Sequence, residues 1–167
     1  MFVQKKNYFL IIESIKDLDL KNIKKRNKFS IIYRNQKKSE KLSDLLKFRK
    51  ICKLKSIDFC IANNLKLAII LNADGIYLSA YNKSFRALSR KKSNYYIIGS
   101  AHTQKEIFMK IKQGCKIILL SKLFKVNYDE KSPFLGVIKF NNFLNFNSNL
   151  IPLGGINLNN LNSLNML

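Results

Sequence analysis

Apolar residues along this chain fall in short runs separated by polar, lysine-rich stretches. The runs are Tyr8–Ser14, Phe29–Arg34, Asp58–Asn63, Gly75–Ser79, Tyr95–Ser100, Lys116–Ser121 and Leu150–Ile156. They are rich in Ile, Tyr and Phe and nearly continuous in hydrophobicity rather than alternating. That pattern predicts strands covered on both faces, as in a parallel sheet flanked by helices.

The intervening segments predict the helices. Between Thr103 and Gly114, Thr103 and Glu106 have capping-box spacing, Ile107, Phe108 and Ile111 form an apolar stripe, and Gly114 supplies a stop. Ser39–Lys55 places Leu42, Leu45 and Leu46 at i, i+3 and i+4, with lysines on the other face. Both stripes are expected to be core contacts.

Composition sets the scale. A chain of 167 residues with 47% hydrophobic content holds one domain with a sizeable core, so a single domain over residues 1–167 is expected. The first apolar run, Tyr8–Ile12, is closed by Glu13 and is too short for a membrane span or a signal-peptide core. A cytoplasmic protein without membrane association is expected. Cys52, Cys60 and Cys115 are odd in number and lack CxxC spacing, which points to reduced, mostly buried thiols rather than disulfides or a zinc site.

Charge brings in a second function class. With 31 Lys+Arg against 10 Asp+Glu, the formal net charge is +21, and such a surface attracts polyanions. The lysines nevertheless spread over the whole chain beside an excess of Asn and Ile, as a low-GC coding bias produces. The densest basic stretches, Lys21–Lys28 and Lys83–Lys92, carry no nucleic-acid motif. Nucleic acid is therefore not the expected partner, and a non-catalytic basic binding or regulatory protein stands as an alternative.

Seven strands with short connections fit an open doubly wound sheet or a (β/α) barrel. No GxGxxG or GxxxxGK[ST] motif follows any strand, so there is no dinucleotide or nucleoside-triphosphate fingerprint. Leu153-Gly154-Gly155-Ile156 closes the seventh run. Two glycines there admit either a phosphate against backbone N–H groups or a plain tight turn.

The order of the motifs resembles the thiamine-phosphate synthase/TenI family over most of the chain. Tyr8–Ile11 looks like its first strand, and Ile31-Ile32-Tyr33-Arg34 is similar to its second, which ends in R-x-K. Leu67-Ala68 followed by Asn72-Ala73-Asp74-Gly75-Ile76-Tyr77-Leu78 resembles the L-A…G-A-D-G-V-H-L block, the most specific match. Ile98-Gly99-Ser100-Ala101-His102-Thr103 looks like the G-x-S-x-H turn with one residue fewer. Gly114 through Phe124 is similar to G-A-D-Y-I…V-F, and Leu153–Ile156 to I-G-G-I.

The resemblance implies an α/β fold of the TIM type: a (β/α) barrel of about seven parallel strands alternating with helices, lacking the family's eighth strand because the chain stops at Leu167. A domain incomplete at its C-terminus is thus expected, and its open strand edges favour a homo-oligomer. The resemblance also implies a protein of thiamine biosynthesis whose C-terminal barrel face binds a small-molecule thiazole phosphate. In synthases, a transferase reaction couples that thiazole to a pyrimidine diphosphate with magnesium.

Departures fall on the metal-dependent part. Asn63 and Asn82 stand where the family has magnesium aspartates, and Gln36 stands where R-x-K has lysine after Arg34. Neutral amides supply no charge to a hard cation, so synthase activity is expected to be weakened and magnesium to matter only if that activity survives. The family's T-x-T-K segment is not recognisable in Lys125-Val126-Asn127-Tyr128, although Lys122 and Lys125 lie nearby.

His102 is the chain's one histidine and occupies the G-x-S-x-H position. In the TenI branch the matching histidine is implicated in a proton shift that aromatises a carboxylated thiazole phosphate. One imidazole can both accept and donate the proton, so no cofactor or metal is needed. By the resemblance, His102 is the candidate catalytic residue. Arg34, Gln36, Asn63, Asn82, Ser100, Lys122, Gly154 and Gly155 are candidate substrate-binding residues. The alternative within the family is a residual synthase.

Overall fold

The computed structural model describes residues 8–23, 29–35, 40–90, 95–126, 133–146, 149–157 and 159–160. Among these, strands β1 (Tyr8–Ile12), β2 (Phe29–Tyr33), β3 (Asp58–Ala62), β4 (Gly75–Leu78), β5 (Tyr96–Ala101), β6 (Ile117–Ser121) and β7 (Leu150–Leu153) alternate with helices for most of the chain. The helices are α1 (Leu42–Leu54), α2 (Leu65–Ile70), α3 (Gln104–Lys112) and α4 (Val137–Leu144). All seven expected strands are present, each within a few residues of its apolar run. The chain divides into two compact units, residues 1–77 with 85–96 and residues 78–84 with 97–167.

In the first unit β1 to β4 pair in parallel in chain order, with Leu10 opposite Ile31, Ile32 opposite Cys60 and Ile61 opposite Ile76. Alternate residues Ile31, Tyr33, Phe59 and Ile61 pack against Leu45, Phe48 and Cys52 of α1. Of the expected leucine stripe the helix buries Leu45, together with Phe48, Arg49 and Cys52, and leaves Leu42 44% and Leu46 45% exposed. The reason is the ring contact between Phe48 and Phe59, with centroids 5.5 Å apart, which turns the helix so that Leu45 faces in with it.

Asp74 ties this unit together. Its Oδ1 accepts from Arg49 Nη2 at 2.8 Å, and its Oδ2 accepts from the Phe59 backbone N–H at 2.8 Å. Arg49 also donates to the Asn72 carbonyl at 3.1 Å, bracing a turn in which Asn72 adopts φ 45°. At the next residue, a Cβ on Gly75 would run into the Tyr96 carbonyl oxygen. The Asp-Gly pair thus joins helix, turn and strand at one point.

In the second unit β5, β6 and β7 pair in parallel, with Ser100 opposite Leu119, Ala101 opposite Leu120 and Ser121 opposite Leu153. Ala101, Ile107, Ile118, Leu120, Phe140 and Leu150 form its core. The Thr103–Glu106 capping box is made in full, and Gly114 follows the helix at φ 74°. The expected α3 stripe is only partly buried. Ile107 faces the core, but Phe108 is 52% and Ile111 44% exposed, and the other buried helical position is Lys110. Phe108 and Ile111 instead line a small apolar pocket with Phe143 and Phe146 at the end of α4. The three cysteines are free, with Cys52 and Cys60 buried. No helix among the described residues is long and apolar enough to cross a membrane.

Replacing Asp74 with Ala removes one charge from a mostly buried pair and strands the Phe59 N–H, a loss of about 2–3 kcal/mol. Urea denaturation of Asp74→Ala is expected to show a lowered midpoint at unchanged slope. A midpoint equal to the parent's would show the pair to be dispensable.

Candidate active site

The C-terminal ends of β5, β6 and β7 gather most of the expected site residues within the second unit. On β5 the side chains alternate. Gly99 and Ala101 face the helices, since a Cβ on Gly99 would lie 2.9 Å from Lys110 Cγ and Ala101 belongs to the helix-side core. Ser100 therefore lies on the opposite face, where it is 5% exposed. His102 follows the strand and is exposed.

The backbone of His102 is fixed by the helix cap. Glu106 Oε2 accepts from the His102 N–H at 2.6 Å and from the Thr103 N–H at 3.1 Å. The ring is fixed from the neighbouring strand: Nδ1 lies 2.9 Å from the Ser121 carbonyl oxygen and 3.1 Å from Ser121 Oγ. A carbonyl only accepts, so the hydrogen bond to it requires the proton on Nδ1. In the neutral ring this leaves the lone pair on Nε2, the configuration of a general base whose far side is already oriented. Tyr81 stands beside this ring, with centroids 6.5 Å apart.

Past β6 and β7 the two loops meet closely. The Leu123 and Phe124 N–H groups donate to the Leu153 and Gly154 carbonyls at 2.9 and 3.0 Å. A Cβ on Gly155 would sit 2.5 Å from the Lys125 carbonyl oxygen and 2.6 Å from that of Phe124, and one on Gly154 would lie 3.2 Å from Lys122 Cα. Both glycines have positive φ, 94° at Gly154 and 71° at Gly155. Close packing of two loops therefore accounts for the glycine pair, and it brings Lys122 against Gly154 at this end of the strands.

Asn82 lies in the loop after β4, where its Oδ1 accepts from the Ser84 N–H at 2.9 Å. The loop's carbonyls are bound by the buried pair Lys110 and Gln113. Burial pulls the Lys110 ammonium below the usual lysine range, opposed by Cys115 and Glu106. Burial likewise pushes the Cys115 thiol up to about 12, against the pull of Lys110, so it is no thiolate nucleophile near neutrality.

In the first unit, Arg34 follows β2, its N–H donating to the Ile12 carbonyl at 2.8 Å. Asn63 follows β3 at φ 57°, its N–H donating to the Tyr77 carbonyl at 2.8 Å. Gln36 lies outside the described residues.

Residues 8–166 match the family described as thiamine monophosphate synthase. The chain belongs to this family. It is 26% identical over 129 residues to a thiamine-phosphate synthase of Prochlorococcus marinus, an alignment covering 75% of this chain and 37% of that protein. A thiamine-phosphate synthase from another strain of the species is 25% identical over 163 residues, covering 96% of this chain and 45% of that one. The alignments thus take in less than half the length of these curated relatives. Among solved structures, thiamine phosphate pyrophosphorylase from Pyrococcus furiosus superposes with a TM-score of 0.60 at 15% identity, covering 79% of this chain and 64% of that one. That likeness carries the fold: parallel strands alternating with helices in the barrel-type arrangement of thiamine-phosphate synthases.

At the two positions where the resemblance places magnesium carboxylates stand the amides of Asn63 and Asn82, which bring no charge to a cation, and the Asn82 oxygen accepts from the Ser84 N–H.

Sequence reading missed Ser121, Tyr81, Lys110 and Gln113. The available signal for Lys110 was its place three residues after Ile107, on the face of α3 that turns inward.

The Ser121 contact predicts that neutral His102 is protonated at Nδ1. Long-range proton–nitrogen NMR of the chain's one imidazole is expected to show an Nδ1–H, Nε2-lone-pair ring. A predominance of the other tautomer would show that the Ser121 carbonyl does not hold it.

Proposed function

We propose that this chain binds a thiazole phosphate at the C-terminal ends of β5, β6 and β7, and that His102 shifts a proton on the bound ring, as in the TenI branch. The observation carrying this reading is the ring of His102, held through Nδ1 by the Ser121 carbonyl at 2.9 Å with Nε2 left as acceptor. Nε2 takes a proton from one ring atom of the ligand, the imidazolium keeps its Nδ1–H bond to Ser121, and the same proton returns at another atom. Nothing is consumed, and no metal enters the step.

Lys122 supplies positive charge at the phosphate end, beside the Gly154-Gly155 loop. Ser100, one layer below His102 on the same strand face, supplies a hydroxyl toward the ligand. The net charge of +21 favours capture of an anionic ligand. The synthase reading draws support from the names of the curated relatives. Against it stand the amides at Asn63 and Asn82.

Thiazole phosphate carboxylate is expected to raise the melting temperature of the purified chain in a saturable way, because a ligand of the folded state stabilises it by mass action. His102→Ala is expected to keep that shift while turnover falls by about 10²–10⁴-fold. An absent shift in a folded sample would sink the binding reading, and full turnover in His102→Ala would sink the proton-transfer reading.

A further inference from the structure

Lysine is seldom fully buried, and a buried cation is costly unless all its donors are met. Lys110 and Gln113 are both 0% exposed. The Lys110 stem crosses β5 at Gly99, where a Cβ would lie 2.9 Å from its Cγ. Its Nζ donates to the Ser79 carbonyl at 2.7 Å, the Asn82 carbonyl at 2.8 Å and Gln113 Oε1 at 2.9 Å. Gln113 Nε2 donates to the carbonyls of Asn82 at 2.9 Å and Ser84 at 2.8 Å. Three ammonium donors meet three neutral oxygens, and both amide donors are used.

Apart from the bond between the two side chains, all of these converge on one loop, Ser79–Ser84. Inside it the Asn82 N–H donates to the Ser79 carbonyl at 3.0 Å, and Asn82 Oδ1 accepts from Ser84. Its tip carries Tyr81, 84% exposed, whose ring is tilted 42° to that of His102. Apolar contacts of Ile107 with the strand core already seat α3. The buried polar pair is arranged to hold the loop.

We propose that Lys110 and Gln113 are positioning residues that set the loop after β4 without a metal ion, so that Tyr81 forms an aromatic wall of the ligand site beside His102. This deepens the reading above and rests on His102 lying in that site. A wall of this kind suits a planar heterocycle, which stacks on an aromatic face.

The chain has no tryptophan, so Tyr81→Trp introduces a single indole reporter. The ring current of that indole is expected to displace the His102 imidazole resonances from their parental positions at neutral pH. Gln113→Glu keeps the side chain's size and its acceptor for Lys110 but, ionised, has no donor for the Asn82 and Ser84 carbonyls. Combined with Tyr81→Trp, it is expected to lose that displacement while the chain stays folded, and Lys110→Met is expected to do the same. A displacement of undiminished size in Gln113→Glu would overturn the proposal, as would unmoved His102 resonances in Tyr81→Trp itself. Collapse of the fold in Gln113→Glu would also overturn it, by showing that the pair supports the core rather than the loop. No ligand is needed, so this outcome and that of thiazole phosphate binding are read separately.

Discussion

Side chains alternate along a strand, and a shift of one residue in pairing sends every side chain to the wrong face. The candidate site depends on the register between β5 and β6. Because Ala101 lies opposite Leu120, the strand ends bring His102 level with Ser121, and the imidazole meets the Ser121 carbonyl. The same register puts Ser100 opposite Leu119, while Ala101 and Leu120 share the helix-side core. Core packing that selects the register therefore also sets the Nδ1 contact from which the tautomer of His102 is predicted. The Thr103–Glu106 cap adds a second constraint by gripping the backbone of that residue.

The strands were legible because residues covered on both faces leave long apolar runs, and those runs mark β1 to β7 closely. The α3 cap was legible because its chemistry is local. The buried faces of the helices were less so. Leucine spacing pointed to Leu42 and Leu46, but the partner ring of Phe59 is distant in sequence and decides which way α1 turns. Helix α4 begins at Gly136 without a side-chain cap and went unpredicted. Among the residues at the ends of β5 and β7, His102, Ser100 and the glycine pair were singled out by motif. Ser121 and the Lys110–Gln113 pair were not, since their meaning comes from carbonyls of other elements.

The chemistry around Asn82 differs in kind from that of a metal-bridging loop. Where a carboxylate would direct charge toward a cation, this loop uses its amide oxygen within itself and turns carbonyl oxygens toward a buried ammonium. A positive group behind the loop disfavours a second cation beside it. Proton transfer by a single imidazole, as proposed for His102, is compatible with that electrostatic arrangement.

The measurement bearing most directly on the central claim uses the fact that the chain has one histidine. Its imidazole resonances can be followed while thiazole phosphate carboxylate is added to the folded protein. A saturable displacement of the His102 signals is expected at the concentrations that raise the melting temperature. Thermal stabilisation with the His102 signals unmoved would place the ligand elsewhere and contradict that claim.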